Sequence, residues 1–163
     1  VGAALQAAEF GIPALAVSLE TDKAYHYNHG EGLEWGAAAH FTRLFARSLL
    51  SATLPFDVDV LKVDIPSDAT GDTPWRVTRQ ARQPYYETLP PAERFVVGPL
   101  IDLDYRVFVD WERLDSDTDV YALARDRVVS ATPLSLDLTS RTDLEQLAQL
   151  LESGATPPER GMR

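Results

Sequence analysis

The chain has 163 residues, 45% of them hydrophobic, no cysteine and a formal net charge of −10. That length suffices for one domain with a real core, and the missing thiols exclude a disulfide framework or thiolate metal site and fit a cytoplasmic protein. So acidic a surface repels phosphate backbones, which argues against a nucleic-acid polymer as partner, and no apolar run approaches the roughly 20 residues that cross a bilayer, so no membrane partner is expected.

Residues 1–11 are rich in helix formers and close on Gly11, which suits a C-terminal cap. No Ser, Thr, Asp or Asn precedes them to cap a first turn, and the only Met is Met162, so the sequence reads as the later part of a longer protein. The apolar run 13–18 predicts a buried strand, making half of a βαβ unit with the helix before it. A polar loop, 21–33, leads to a helix over 34–50 whose inner stripe is Trp35, Ala38, Thr42, Phe45, Ala46 and Leu49. His40, Arg43 and Arg47 fall on a solvated face of that helix. A strand over 58–65 ends at Pro66, and a turn-rich link leads to another over 75–80. Pro84, Pro90, Pro91 and Pro99 punctuate the region 81–112, where Tyr85-Tyr86 and the alternating stretch 101–111 predict a projecting antiparallel arm. Asp117 or Thr118 caps a short helix running to about Arg125, and 128–132 is a strand. Leu134, Leu136 and Leu138 alternate with polar residues, the clearest strand period in the chain. Thr142–Glu145 reads as a capping box opening a helix with Leu144, Leu147, Ala148 and Leu151 on one face, closed at Gly154. The pattern makes 1–154 the C-terminal part of one domain whose N-terminal part is absent, and 155–163 a disordered tail.

Several residues invite chemistry. His26 and His29, with Asn28 and Glu31 nearby, have the donors of a zinc or acid–base pair, or are solvated loop residues. Asp115, Asp117 and Asp119 resemble the front of a calcium loop, but the sixth position is Val120 where a glycine belongs. A helix start explains the same aspartates. Ser18 falls at the carboxyl end of a strand, where open α/β sheets bind ligands. Arg79, followed by Gln80, can grip a phosphate or make a structural bond to the arm.

Val1-Gly2-Ala3-Ala4, Val77-Thr78-Arg79-Gln80, Asp117-Thr118-Asp119-Val120 and Val129–Leu134 with Asp137-Leu138-Thr139 stand in one order and spacing. Together they resemble the SurE family of 5'-nucleotidases, from Val1 to about Thr139. The resemblance implies a metal-dependent phosphatase acting on nucleoside monophosphates, with Mg²⁺ or Mn²⁺ held by two adjacent aspartates, a serine and an asparagine. It also implies a Ser-Gly-Thr phosphate turn directly ahead of Val1. On that frame no catalytic residue and no metal ligand falls within this chain. Val1 and Gly2 contribute first-turn amides beside the phosphate. Ser18, by its place at the strand end, either faces the pocket or caps the strand and bonds the loop. The chain departs from the family's pattern in places. Asn-Val-Asn before a proline becomes Lys62-Val63-Asp64, and the glycine after Thr-Arg-Gln becomes Ala81. Gly-Thr-Asp becomes Asp117-Thr118-Asp119, and a Gly-aromatic pair becomes Arg127-Val128.

The resulting expectation is an α/β, SurE-like three-layer fold. A mostly parallel sheet is flanked by helices and carries an antiparallel arm and a C-terminal helix. Homodimers or homotetramers would form through the 81–112 arm and that helix, with a nucleoside monophosphate as substrate. The competing expectation is a non-catalytic oligomerisation or binding module on the same scaffold.

Overall fold

The computed structural model describes residues 1–22, 25, 32–89 and 105–154. His26, His29, Asn28 and Glu31, the stretch 90–104 of the arm and the segment 155–163 lie outside the described residues.

Helix α1 (Gly2–Glu9) leads into strand β1 (Ala14–Leu19), and helix α2 (Gly36–Ser51) into strand β2 (Val60–Ile65). Strand β3 (Trp75–Val77) precedes the pair β4 (Tyr86–Thr88) and β5 (Tyr105–Val107). Helix α3 (Asp119–Ala124), strand β6 (Val129–Leu134) and helix α4 (Leu144–Ser153) complete the order. The main sheet runs β1-β2-β6-β3, and β4 and β5 form a separate antiparallel pair. β1 and β2 are parallel, from Ala14↔Val60 to Leu19↔Ile65, and β3 and β6 are parallel to each other. An antiparallel ladder between β2 and β6 joins the two pairs. The expected mostly parallel sheet and antiparallel arm are both present.

Alternation along the strands makes three layers. One face presents Val63, Ile65, Val129 and Ala131 to Ala37, Phe41 and Phe45 of α2. The other presents Ala14, Ala16 and Val60 to Ala4, Leu5 and Ala8 of α1. α3 lies on this second face too, because its Asp119 meets Lys62, the alternation partner of Val60. Val60, Val63, Ile65 and Val129 are fully buried, each contributing roughly 1.5–3 kcal/mol. β1 ends the sheet with an open edge among the described residues. A groove of about 340 Å³, lined by Val17, Leu19, Trp35, Ala38, Ala39 and Thr42, runs between it and α2.

Gly11 does cap α1: at φ 73 it donates to the Ala8 carbonyl, while Ile12 donates to Ala7. Elsewhere the structure corrects the sequence pattern. The inner stripe of α2 is Ala37, Phe41, Phe45 and Leu49; Trp35 sits outside the helix, 54% exposed. The stretch after Leu134 is not a strand, and Leu138 is 91% exposed. β2 begins at Val60, opposite Leu134, so no ladder partner remains, and the Asp59 carboxylate takes the Leu136 N–H instead. Asp143, not Thr142, caps α4, accepting from the N–H groups of Glu145 and Gln146. No residue of α4 is buried.

Candidate functional site

Residues paired across a ladder share a face of the sheet. Ser18 pairs with Asp64, Asp64 with Ser130, and Lys62 with Thr132, so these polar side chains tile the face that carries α1 and α3. Beyond Ala14, Ala16 and Val60, covered by α1, that face turns polar toward the carboxyl ends of β1 and β2. Such ends are where α/β sheets hold ligands.

The centre of the floor is Lys62. Its ammonium bonds Asp64 and, at 2.9 Å, Asp119. Burial works to lower its pKa, but the charge and hydrogen bond of Asp64, and then those of Asp119, outweigh it and raise the pKa above 10.5. Asp119 is held further by the N–H groups of Ala81 and Val120, each at 2.8 Å. The Ser18 hydroxyl donates to Asp64 at 3.0 Å. Beside the triad, Thr78, Ser130 and Thr132 share buried hydroxyl contacts of 2.7 and 2.8 Å. Their donors and acceptors satisfy one another, as burial requires.

Arg127 frames the upper rim. It reaches Glu20, following β1, at 2.8 Å and Asp68, following β2, at 2.6 Å. Burial again works to lower its pKa, and the bonds to Asp68 and Glu20 raise it on balance. Asp68, gripped by the same guanidinium, titrates below the usual carboxylate range. In the arm, the rings of Tyr85, Tyr86 and Tyr105 pack edge to face. Burial raises the pKa of Tyr85 and Tyr86, and the Glu20 charge adds to it in both. The start of the arm meets the floor at Ala81, whose N–H bonds Asp119.

α1 joins β1 through residues 10–13 and packs antiparallel along it, so its first turn points toward the end of the sheet that carries Ser18. Val1 is the N-cap, no acidic side chain lies in the first turn, and helix starts leave N–H groups free for an anion. Nothing lies within 4 Å of where a Cβ on Gly2 would sit, so packing within this chain does not require glycine there.

Other candidates separate from this floor. Arg79 grips Asp117 with two bonds, of 2.7 and 2.8 Å, and touches Asp115 at 3.4 Å. Among the described residues its side-chain partners are these aspartates and none of the arm, and its side chain is 64% exposed. The calcium reading of 115–119 is corrected in the same way: two of its carboxylates serve Arg79 and the third faces Lys62. Among the described residues, no group of three or more His, Cys, Asp or Glu can hold a metal ion. The residues described here therefore do not fit the divalent metal that the family resemblance implies.

Comparison with known proteins fits this geometry. A sequence model of the family described as "Survival protein SurE" matches residues 1–87. The chain belongs to the SurE family. A protein named 5'-nucleotidase SurE from Thermococcus gammatolerans is 41% identical over 149 residues, covering 91% of this chain and 55% of the relative. Its namesake from Thermococcus kodakarensis is 37% identical over 150 residues, covering 91% and 56%. The crystal structure of the SurE protein from Aquifex aeolicus superposes with a TM-score of 0.56 at 21% identity, covering 94% of this chain and 54% of that one, a likeness of fold. The chain thus spans about half the length of the curated relatives it matches.

Two departures from the SurE pattern now have physical consequences. Where the family has Asn-Val-Asn, Lys62 and Asp64 build an ion triad in place of an amide pair. Where it has a glycine, Arg127 takes a left-handed φ of 54, a conformation glycine adopts freely. Its ion pairs with Glu20 and Asp68 hold it there. Lys62 and Asp64 were not singled out as functional from sequence. The available signal was two charged residues at period two inside an otherwise apolar strand, which marks a polar pocket on that face.

Proposed function

We propose that this chain is part of a metal-dependent phosphomonoesterase that hydrolyses nucleoside 5'-monophosphates. The observation that carries the reading is 41% identity, across 91% of this chain, to a relative named 5'-nucleotidase SurE. In this reading the first-turn amides of Val1 and Gly2 face the substrate phosphate, and Ser18 lines the same pocket. Helix-terminal N–H groups suit an anion in a molecule whose net charge of −10 otherwise repels it. Mg²⁺ or Mn²⁺ is held by the part of the SurE length that this chain does not span. That part also lies along the open edge of β1 and its apolar groove with α2.

The chain self-associates in this reading, as a homodimer or homotetramer, through the arm and α4. What supports it is an apolar stripe on α4 that is left exposed among the described residues. Leu144 is 58% exposed and Leu151 73%.

The test is phosphate release from a panel of nucleoside monophosphates with Mg²⁺ or Mn²⁺, by the 163-residue chain and by the protein at the length of its relatives. The expected result is turnover by the longer protein only, abolished by a chelator. Release by the shorter chain alone would move the chemistry onto residues present here. No release from either, with a stable oligomer, would favour a non-catalytic module.

A further inference from the structure

We propose that Ser18 reads the sugar of the substrate: its hydroxyl oxygen, turned by Asp64 into an acceptor, takes a hydrogen bond from a ribose hydroxyl. The inference rests on the nucleotide reading above and adds to it a residue that tells a ribonucleotide from its deoxy forms.

The direction of the Ser18 hydroxyl is set by its partner. A carboxylate only accepts, so the 3.0 Å contact to Asp64 Oδ1 takes up the hydroxyl proton. Asp64 is itself held, because its other oxygen bonds the Lys62 ammonium. Lys62 is held in turn by Asp119 at 2.9 Å, and Asp119 by the N–H groups of Ala81 and Val120, each at 2.8 Å. This chain of bonds runs from the first turn of α3 across β2 to β1. It ends on a serine oxygen whose lone pairs are left over. Among the described residues no donor reaches that oxygen, and Ser18 is exposed. Such a hydroxyl takes a hydrogen bond from a ligand and gives none.

Chemistry then selects the part of a nucleotide that suits this oxygen. A phosphate dianion has acceptors only, and the floor beside Ser18 holds two carboxylates to one ammonium, so the phosphate is held off. It is left the first turn of α1, which offers N–H groups and no acidic side chain. α1 runs back along β1 from Ala8, which packs with Ala14. From there Val1 lies about 10 Å along the helix and Ser18 about 13 Å along the strand, so the two stand at nearly one level. The group joined directly to the phosphate of a 5'-nucleotide is the ribose, and its hydroxyls are donors. A sugar hydroxyl is therefore the donor nearest to Ser18 once the phosphate sits on α1.

The experiment measures kcat/KM for adenosine 5'-monophosphate and for its 2'-deoxy and 3'-deoxy forms, with Mg²⁺ or Mn²⁺, in the protein at the length of its relatives. Wild type should favour the ribonucleotide over one of the two deoxy forms by roughly 3- to 10-fold, as one neutral hydrogen bond allows. Ser18→Ala should bring that ratio near unity by losing activity on the ribonucleotide and not on the deoxy form. Ser18→Thr keeps the hydroxyl, on a strand that suits a β-branched residue, and should retain the ratio. A serine that only supports the fold would slow all three esters alike when removed, and that result would overturn the inference. So would equal kcat/KM for the three esters in wild type. A Ser18→Ala effect on the choice between adenine and guanine esters, with the sugar ratio unchanged, would give the oxygen to a base and overturn it too. If wild type cleaves none of the esters, the nucleotidase reading falls, and calorimetric binding of adenosine, 2'-deoxyadenosine and 3'-deoxyadenosine to the same protein decides the role of Ser18 separately. Weaker binding of one deoxy form, with the gap closed in Ser18→Ala, supports it; no binding, no gap, or a gap that Ser18→Ala leaves open overturns it.

Discussion

Arg127 shows how one side chain can hold a backbone in a conformation it disfavours. A left-handed non-glycine residue costs about 1–2 kcal/mol, and here bonds to Glu20, Asp68, Ser67 and the Leu123 carbonyl offset it. Arg127→Ala loses the bonds and keeps the strain, whereas Arg127→Gly loses both. The glycine variant should therefore be the more stable of the two by about 1 kcal/mol, read from urea unfolding midpoints. Lys62 is the opposite case, unstrained but holding two carboxylates together. Lys62→Met leaves Asp64 and Asp119 facing each other, and should cost about 2–3 kcal/mol in urea unfolding, somewhat under a fully buried pair because both keep slight exposure. The pH dependence has a definite sign. The folded pKa of Lys62 lies above 10.5, so its stabilisation is fully present below that pH and is lost as pH rises through the folded value. The stability gap between wild type and Lys62→Met should accordingly shrink above pH 10.5 in thermal melts. Ser18 was legible from sequence because a strand end can be counted. Its bond to Asp64 was not, since the partner is 46 residues away.

Helix α2 was legible as an element, and Phe45 and Leu49 of its inner face were read correctly, but in its first half Ala38 and Thr42 were taken for Ala37 and Phe41. Its apolar residues surround more than one stripe, and only the sheet beneath decides that Phe41, 1% exposed, points inward while Trp35 stays outside. The alternation over Leu134, Leu136 and Leu138 is a sound local signal overruled by topology. A strand needs a neighbour to bond, and β2 has none to give beyond Val60. Helix α4 was legible from its first turn to a left-handed Gly154, because both of its ends are written locally, although the cap falls on Asp143 and not on Thr142. Since α4 buries nothing, its stability rests on its cap to an unusual degree. Asp143→Ala should cost the helix about 1 kcal/mol. Amide exchange within α4 should speed up accordingly, while the global unfolding midpoint stays in place.

Self-association is the property that the assembled chain raises most directly. Exposed Leu147 and Leu151 lie on a helix that packs on nothing among the described residues. Replacing both with Lys should change monomer stability by no more than about 0.5 kcal/mol each, as at ordinary surface positions. If α4 joins copies, the same change should lower the mass seen by light scattering; an unchanged mass would remove α4 from the interface. By itself the sequence determined the element order apart from the stretch after Leu134, the caps at Gly11 and Gly154, the antiparallel arm and the family, because each is carried by local chemistry or by ordered motifs. Only the tertiary structure decided that Lys62, Asp64 and Asp119 form one triad, that Arg127 joins the ends of two strands, and that Tyr85, Tyr86 and Tyr105 pack edge to face. These are contacts between residues far apart in the chain, fixed by ladder register and by which face of the sheet each helix covers, and neither is encoded in any short window of residues.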